Sequence, residues 1–82
     1  MTTTPEIKTH ATDEEMHSMY DRLRSRFAEA QADDRDGLRL AWKDRWLHVR
    51  PSGTEPIVRL IAEAPTTADA EALIATAREL LH

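Results

Sequence analysis

"HVRPSGTEPIVRLIAEA", residues 48–64, decides how the chain folds: it is apolar on both sides of a polar knot and keeps an arginine at each end of that knot, Arg50 and Arg59. Its second half, "IVRLIAEA", places Ile57, Val58, Leu60, Ile61 and Ala62 on both faces of an extended segment, which predicts a central strand covered on both sides. Arg59 lies in the middle of that run, where an unpaired charge is costly, so it needs a carboxylate partner or an anion. Upstream, "LRLAW" and "WLHV" each alternate apolar and polar residues, the pattern of half-buried strands. A tight turn at Asp44 and Arg45 predicts an antiparallel hairpin in which Trp42 faces Leu47 and Leu40 faces Val49, with Lys43 beside Trp46. That register sends Arg39, His48 and Arg50 to the opposite face.

Helices flank these strands. Thr12 is followed three residues later by Glu15, a capping-box pair, and Met16, Met19, Tyr20, Leu23, Phe27 and Ala30 then recur at helical spacing. This predicts an amphipathic helix from Asp13 to Ala30, its methionines and aromatics in the core and Arg22, Arg24, Arg26 and Glu29 towards water. A second helix runs from Thr66 or Thr67 to Leu80, with Ala70, Leu73, Ile74, Ala77, Leu80 and Leu81 as its apolar face. Between the first helix and the hairpin, "QADDRDG" at 31–37 reads as a loop, since Asp33, Asp34, Asp36 and Gly37 favour turns. Its spaced aspartates do not make a calcium loop, because a strand pattern begins where further oxygen ligands and a twelfth-position glutamate are needed. Residues 1–10 read as a partly disordered lead-in, with "EIKTH" at 6–10 able to form a short edge strand. The elements define an α+β fold of two layers, an antiparallel sheet of three to four strands packed against two helices, as one domain over 1–82.

Composition narrows the function. The chain has 82 residues, 40% of them apolar, enough for one small core. It contains no cysteine, which excludes a disulfide framework and thiolate metal sites and permits a reducing, cytoplasmic setting. A net charge of −4 argues against general binding to nucleic acid. No apolar run approaches a membrane span, and no secretory signal opens the chain. His48, with no clustered ligand or carboxylate at useful spacing, reads as a surface or supporting residue rather than a base.

The knot "RPSGTEP" can be read in two ways from its residues alone. Pro51 and Pro56 restrain its ends and Gly53 allows backbone angles closed to other residues. Ser52 and Thr54 supply hydroxyls, the amides around Gly53 can form an anion nest, and Arg50 offers a planar fork suited to phosphate oxygens. The plainer reading is a strand connection whose hydroxyls satisfy the backbone and whose Glu55 pairs with Arg59.

The run "DGLRLAWKDRWLHVRPSGTEPIVRLIAEA", followed by "TADAEALIATARELL", resembles the C-terminal, fourth domain of the phosphohexomutases, most closely that of phosphoglucosamine mutases within the phosphoglucomutase/phosphomannomutase family. The resemblance covers about residues 37–81 closely and the preceding helix more loosely. It implies a domain that grips the phosphate not being transferred in a four-domain isomerase, which moves a phosphoryl group between the 1 and 6 positions of a hexose or hexosamine phosphate through a phosphoserine, with Mg2+. On that resemblance Arg50, the Pro51 backbone, Ser52, Gly53, Thr54 and Arg59 are the phosphate ligands and Glu55 braces the arginines. The catalytic serine and the metal loop have no counterpart here, so the resemblance implies no catalytic residue, no metal ligand and no cofactor in this chain, and no mutase activity alone. It further implies the other domains of a parent enzyme as partners and no nucleic acid or membrane. The loose "TTTPE" after Met1 fits a domain excised from a longer enzyme. The alternative is a standalone, small acidic α+β module that docks on another protein.

Overall fold

The structure, a computed structural model, describes residues 1–81. Eight elements follow one another: β1 (Thr2–Thr3), β2 (Ile7–His10), α1 (Asp13–Arg26), β3 (Gln31–Asp33), β4 (Leu38–Ala41), β5 (Trp46–Pro51), β6 (Ile57–Ala64) and α2 (Thr67–Leu81). The strands form one antiparallel sheet in the order β1-β6-β5-β4-β3, with β2 also paired to β6. The expected α+β class and the two helices stand, and the sheet is larger than the three to four strands anticipated.

The two additional strands, β1 and β3, come from segments whose sequence is poor in strand formers. Thr2 and Thr3 pair with Ala64 and Glu63, and Ile7–His10 pair with Leu60–Ile57 on the same edge of β6. Between them Thr4 is buried; its amide donates to the Ala62 carbonyl at 2.8 Å and its hydroxyl accepts from the Ala62 amide at 3.1 Å. Within the lead-in at 1–10, expected to be partly disordered, Thr2–Thr3 and Ile7–His10 are thus built into the sheet edge, the latter as the short edge strand that "EIKTH" was able to form. The second correction concerns 31–37: the helix ends at Arg26, and Gln31–Asp33 add an edge strand opposite Ala41–Arg39 before the turn begins. Asp33 is tolerated there because Arg35 pairs with it at 2.7 Å.

Caps fix both helices as read. The Thr12 hydroxyl accepts from the Glu15 amide at 3.1 Å while the Glu15 carboxylate accepts from the Thr12 amide at 3.0 Å, satisfying two orphan donors at once. At α2 the Thr66 hydroxyl accepts from the Asp69 amide at 3.1 Å. Not all of the polar face of α1 is free of contacts. Arg22 donates to the Leu80 carbonyl at 3.1 Å, satisfying a helix-end acceptor of α2, and beyond the end of α1 Glu29 accepts from the Trp42 indole at 3.0 Å.

Both helices lie on one face of the sheet, and the core is the layer between them. Met16, Met19 and Leu23 from α1 and Ala70, Leu73, Ile74, Ala77 and Leu81 from α2 close over Leu38, Leu40, Leu47, Val49, Val58, Leu60 and Ala62. Burial along β6 therefore alternates, with Val58, Leu60, Ala62 and Ala64 buried and Ile57, Arg59, Ile61 and Glu63 half-buried. The expectation that β6 is covered on both faces fails, because neither helix crosses to the second face. No helix among the described residues is long and apolar enough to cross a membrane.

The hairpin register is also displaced. Leu38 faces Val49 and Leu40 faces Leu47, since the Trp42 amide donates to the Arg45 carbonyl at 2.8 Å and centres the turn on Lys43 and Asp44. Trp46 consequently lies opposite Ala41 rather than Lys43, and the Arg39 guanidinium sits 5.2 Å from its ring centre. A shift of two leaves every side chain on its expected face, so the core is unaltered.

Candidate phosphate-binding site

The uncovered face of the sheet carries the polar set. Arg50 on β5 is the direct cross-strand partner of Arg59 on β6, and Lys8 on β2 is the direct partner of Arg59 on its other side. Direct partners in an antiparallel pair have their Cβ atoms about 4.5–5.5 Å apart and like charges so placed repel. The sheet therefore holds three cations in one row. The β5–β6 loop, residues 52–56, rises from the end of the same two strands.

Acidic neighbours only partly offset that row. Arg59 Nη1 lies 3.7 Å from Glu6 Oε1, and Arg50 Nη1 lies 4.0 Å from Asp36 Oδ2. Both separations exceed the usual length of a charge-assisted hydrogen bond, about 2.7–2.9 Å. The Arg59 Nε is buried without a hydrogen-bond partner among the described residues. Among the described residues Glu55 makes no ion pair with either arginine. Glu55 is exposed, and Glu6, more than fifty positions earlier and beyond the reach of local sequence pattern, stands beside Arg59 instead.

Within the loop, the Ser52 amide donates to the Ile57 carbonyl at 2.8 Å, and the Ile57 amide to the Glu55 carbonyl at 2.7 Å, which closes the base of the turn. The amides of Gly53, Thr54 and Glu55 have no protein acceptor among the described residues. Ser52 is half-buried, and Gly53 and Thr54 are exposed beside it. Pro51 ends β5 opposite Val58, and the Pro56 carbonyl accepts from the Ala11 amide at 2.9 Å, so the edge-strand segment also anchors the loop. The structure thus brings Arg50, Pro51, Ser52, Gly53, Thr54 and Arg59 together at one end of the sheet.

Gly53 does not serve as expected. Gly37 is the glycine with positive φ, at 72°, and a Cβ built on Gly53 meets nothing within 4 Å. A Cβ on Gly37 would collide with the Val49 carbonyl oxygen and lie 2.7 Å from the Arg50 Cα. The turn before β4 is therefore pressed against the backbone that carries Arg50, an approach open only to glycine. His48 supports the same turn, its Nε2 donating to the Asp36 carbonyl at 2.8 Å, so it is a supporting residue of the Arg50 neighbourhood. Asp36 and Gly37 were legible as turn formers in "DG", but nothing local indicated their contact with Arg50.

A depression of about 400 Å³ reaches this end of the sheet at Gly37 and Pro51 and is otherwise lined by His17, Tyr20, Asp21, Arg24 and Asp34. The Tyr20 hydroxyl is buried there without a hydrogen-bond partner among the described residues. Desolvation, and secondarily the charge of Asp36, push its pKa up. The other aspartates of the turn are taken by arginines: Asp34 by Arg24 at 3.1 Å and Asp33 by Arg35, whose hydrogen bonds hold the Asp33 carboxyl down at about 2. Among the described residues no group of three or more His, Cys, Asp or Glu is placed to hold a metal ion.

Two guanidinium groups, a row of open amides and two hydroxyls thus gather at one strand junction of an α+β scaffold. The protein belongs to the family described as "Phosphoglucomutase/phosphomannomutase, C-terminal domain", whose profile matches residues 6–80. Among curated proteins it is similar to a probable phosphoglucosamine mutase of Pyrococcus furiosus, 48% identical over 48 residues, which cover 58% of this chain and 11% of that protein. It is also similar to a phosphopentomutase of Thermococcus kodakarensis, 58% identical over 31 residues (37% of this chain, 7% of that protein). A phosphoglucosamine/phosphogalactosamine mutase of Sulfurisphaera tokodaii is 59% identical over 29 residues (35% and 6%). The match spans about a tenth of the length of these relatives or less.

Proposed function

We propose that residues 50–59 form the phosphate grip of a sugar-phosphate mutase, holding the phosphate that stays on the sugar while chemistry proceeds on other domains of a parent enzyme. The observation that carries this reading is the pairing of Arg50 with Arg59 across β5 and β6, both loosely countered by carboxylates, beside the open amides of Gly53–Glu55. Two facing guanidinium groups repel each other unless an anion lies between them, and a phosphate monoester supplies two charges and three oxygens for that place. Ser52 and Thr54 add hydroxyl donors at the loop. The relatives point the same way: they are named for glucosamine, galactosamine and pentose phosphates, and the sugar differs while the phosphate is common. Within that range a hexosamine phosphate is the substrate we favour, since most of these relatives are named phosphoglucosamine mutases.

The grip binds and orients; it transfers nothing. Its groups are arginines, amides and hydroxyls, none set beside a base that would make a nucleophile. The Mg2+ that the resemblance implies for a parent enzyme does not suit this row of cations, which would repel it, so no step here runs through a metal. A standalone protein-docking module is not favoured, because the family match takes in both helices and the whole loop. The test is a calorimetric titration of the chain with glucosamine 6-phosphate and with inorganic phosphate. Binding in roughly the millimolar range, about −4 kcal/mol, is expected from one phosphate in an open half-site. Loss of that heat in Arg50→Ala, with unchanged circular dichroism, supports the grip. No heat from the unaltered chain would remove the reading.

A further inference from the structure

The phosphate grip proposed above uses β5 and β6, yet β6 has a neighbour on its other side. We infer that the edge strand β2 supplies a third side of the anion site, with Lys8 as its cation; this rests on the phosphate-grip reading.

Register places Lys8 there. Lys8 is the direct partner of Arg59, which is the direct partner of Arg50, so the three share one row and one face of the sheet. Strands lie about 4.8 Å apart, which puts Lys8 about 10 Å from Arg50, within reach of an anion seated over the central Arg59. Lys8 is exposed, and among the described residues it has no ion pair, whereas Arg50 and Arg59 each have a carboxylate near them. A lysine on an edge strand is an ordinary guard against strand addition. The plain guard does not account for its place opposite Arg59, where it adds repulsion to a strand already carrying a half-buried charge. An anion over Arg59 turns that repulsion into attraction.

A second observation ties β2 to the site. The Ala11 amide, just past β2, donates to the carbonyl of Pro56, the last residue of the phosphate loop. Two residues nearer the loop on the same strand, His10 is the partner of Ile57. Strand β2 therefore anchors the loop and borders the row beside it. The ligand class is a phosphate monoester dianion, met by three cations rather than two.

One ammonium acting on a dianion across about 6 Å of solvent at physiological salt changes affinity by about threefold. The experiment is a phosphate titration followed by amide shifts of the loop, on the unaltered chain, Lys8→Gln and Lys8→Arg. About threefold weaker binding is expected in Lys8→Gln and restoration in Lys8→Arg, with the difference shrinking in 0.5 M salt, about where charge is screened within 5 Å. Equal affinity in all three chains overturns the role of Lys8 and leaves the grip intact. A loss that salt does not reduce, or that Lys8→Arg does not restore, overturns it too, since it marks a structural role. If the unaltered chain shows no loop shift with phosphate, the grip itself fails and Lys8 with it.

Discussion

Replacing Gly37 with alanine tests whether the turn pressed against Arg50 is as tight as the geometry implies. The residue has φ 72°, a region that costs a side chain about 1–2 kcal/mol. Its new Cβ would also strike the Val49 carbonyl oxygen and lie 2.7 Å from the Arg50 Cα, and both are backbone atoms that cannot rotate away. Such overpacking adds about 1–3 kcal/mol, while the stiffer unfolded chain returns about 0.4–1 kcal/mol. The net loss is about 2–4 kcal/mol, a large part of the roughly 4–12 kcal/mol expected for a domain this size. That lowers the melting temperature by about 8–30 °C, readable from the fluorescence of Trp42 and Trp46. Gly53→Ala is the control: its Cβ meets nothing and its φ is not positive, so stability should stay within about 0.5 kcal/mol. A Gly37→Ala chain melting within about 3 °C of the unaltered one, or a Gly53→Ala chain melting as early, would refute the reasoning.

Two further outcomes follow from local geometry. Thr12→Ala removes one half of the capping box and should cost about 1 kcal/mol, a fall of about 4–8 °C in melting temperature; no change would mean that the α1 cap is unimportant. Asp33 should titrate near pH 2 by carboxyl NMR, because Arg35 donates to both of its oxygens, and should move up towards 3.8 in Arg35→Gln. Since the folded pKa is the lower one, the pair contributes above about pH 4 and is lost as pH falls towards 2, by a small amount at so exposed a site. A midpoint near 3.8 in the unaltered chain would contradict this.

The parts of this fold that a reader of residues can recover are those with local causes. Thr12 and Glu15, three apart, cap α1, and Thr66 caps α2, because a cap needs only its own turn. The faces of β4 and β5 follow from alternation, but alternation repeats every two residues and cannot tell Leu40 opposite Val49 from Leu40 opposite Leu47. Strand β1 and strand β3 escaped notice because Thr2–Thr3 and Gln31–Asp33 are extended by their partners, not by their own preferences. At the site, Arg50, Ser52, Gly53, Thr54 and Arg59 were visible as a motif, while Glu6, Lys8, Asp36 and Gly37 join it only through pairing across the sheet and the turn. The value assigned to Gly53 belonged to Gly37, whose constraint comes from a strand a dozen residues away.

The measurement that bears most directly on the central claim is a crystal structure of this chain grown with glucosamine 6-phosphate. The phosphate is expected over the β5–β6 junction, with oxygens about 2.7–3.0 Å from the guanidinium nitrogens of Arg50 and Arg59 and from amides of Gly53–Glu55, as charge-assisted contacts require. Arg50 should then have left Asp36, now 4.0 Å away. A sugar phosphate seated elsewhere, with Arg50 still beside Asp36 and the loop amides bound only by water, would contradict the claim.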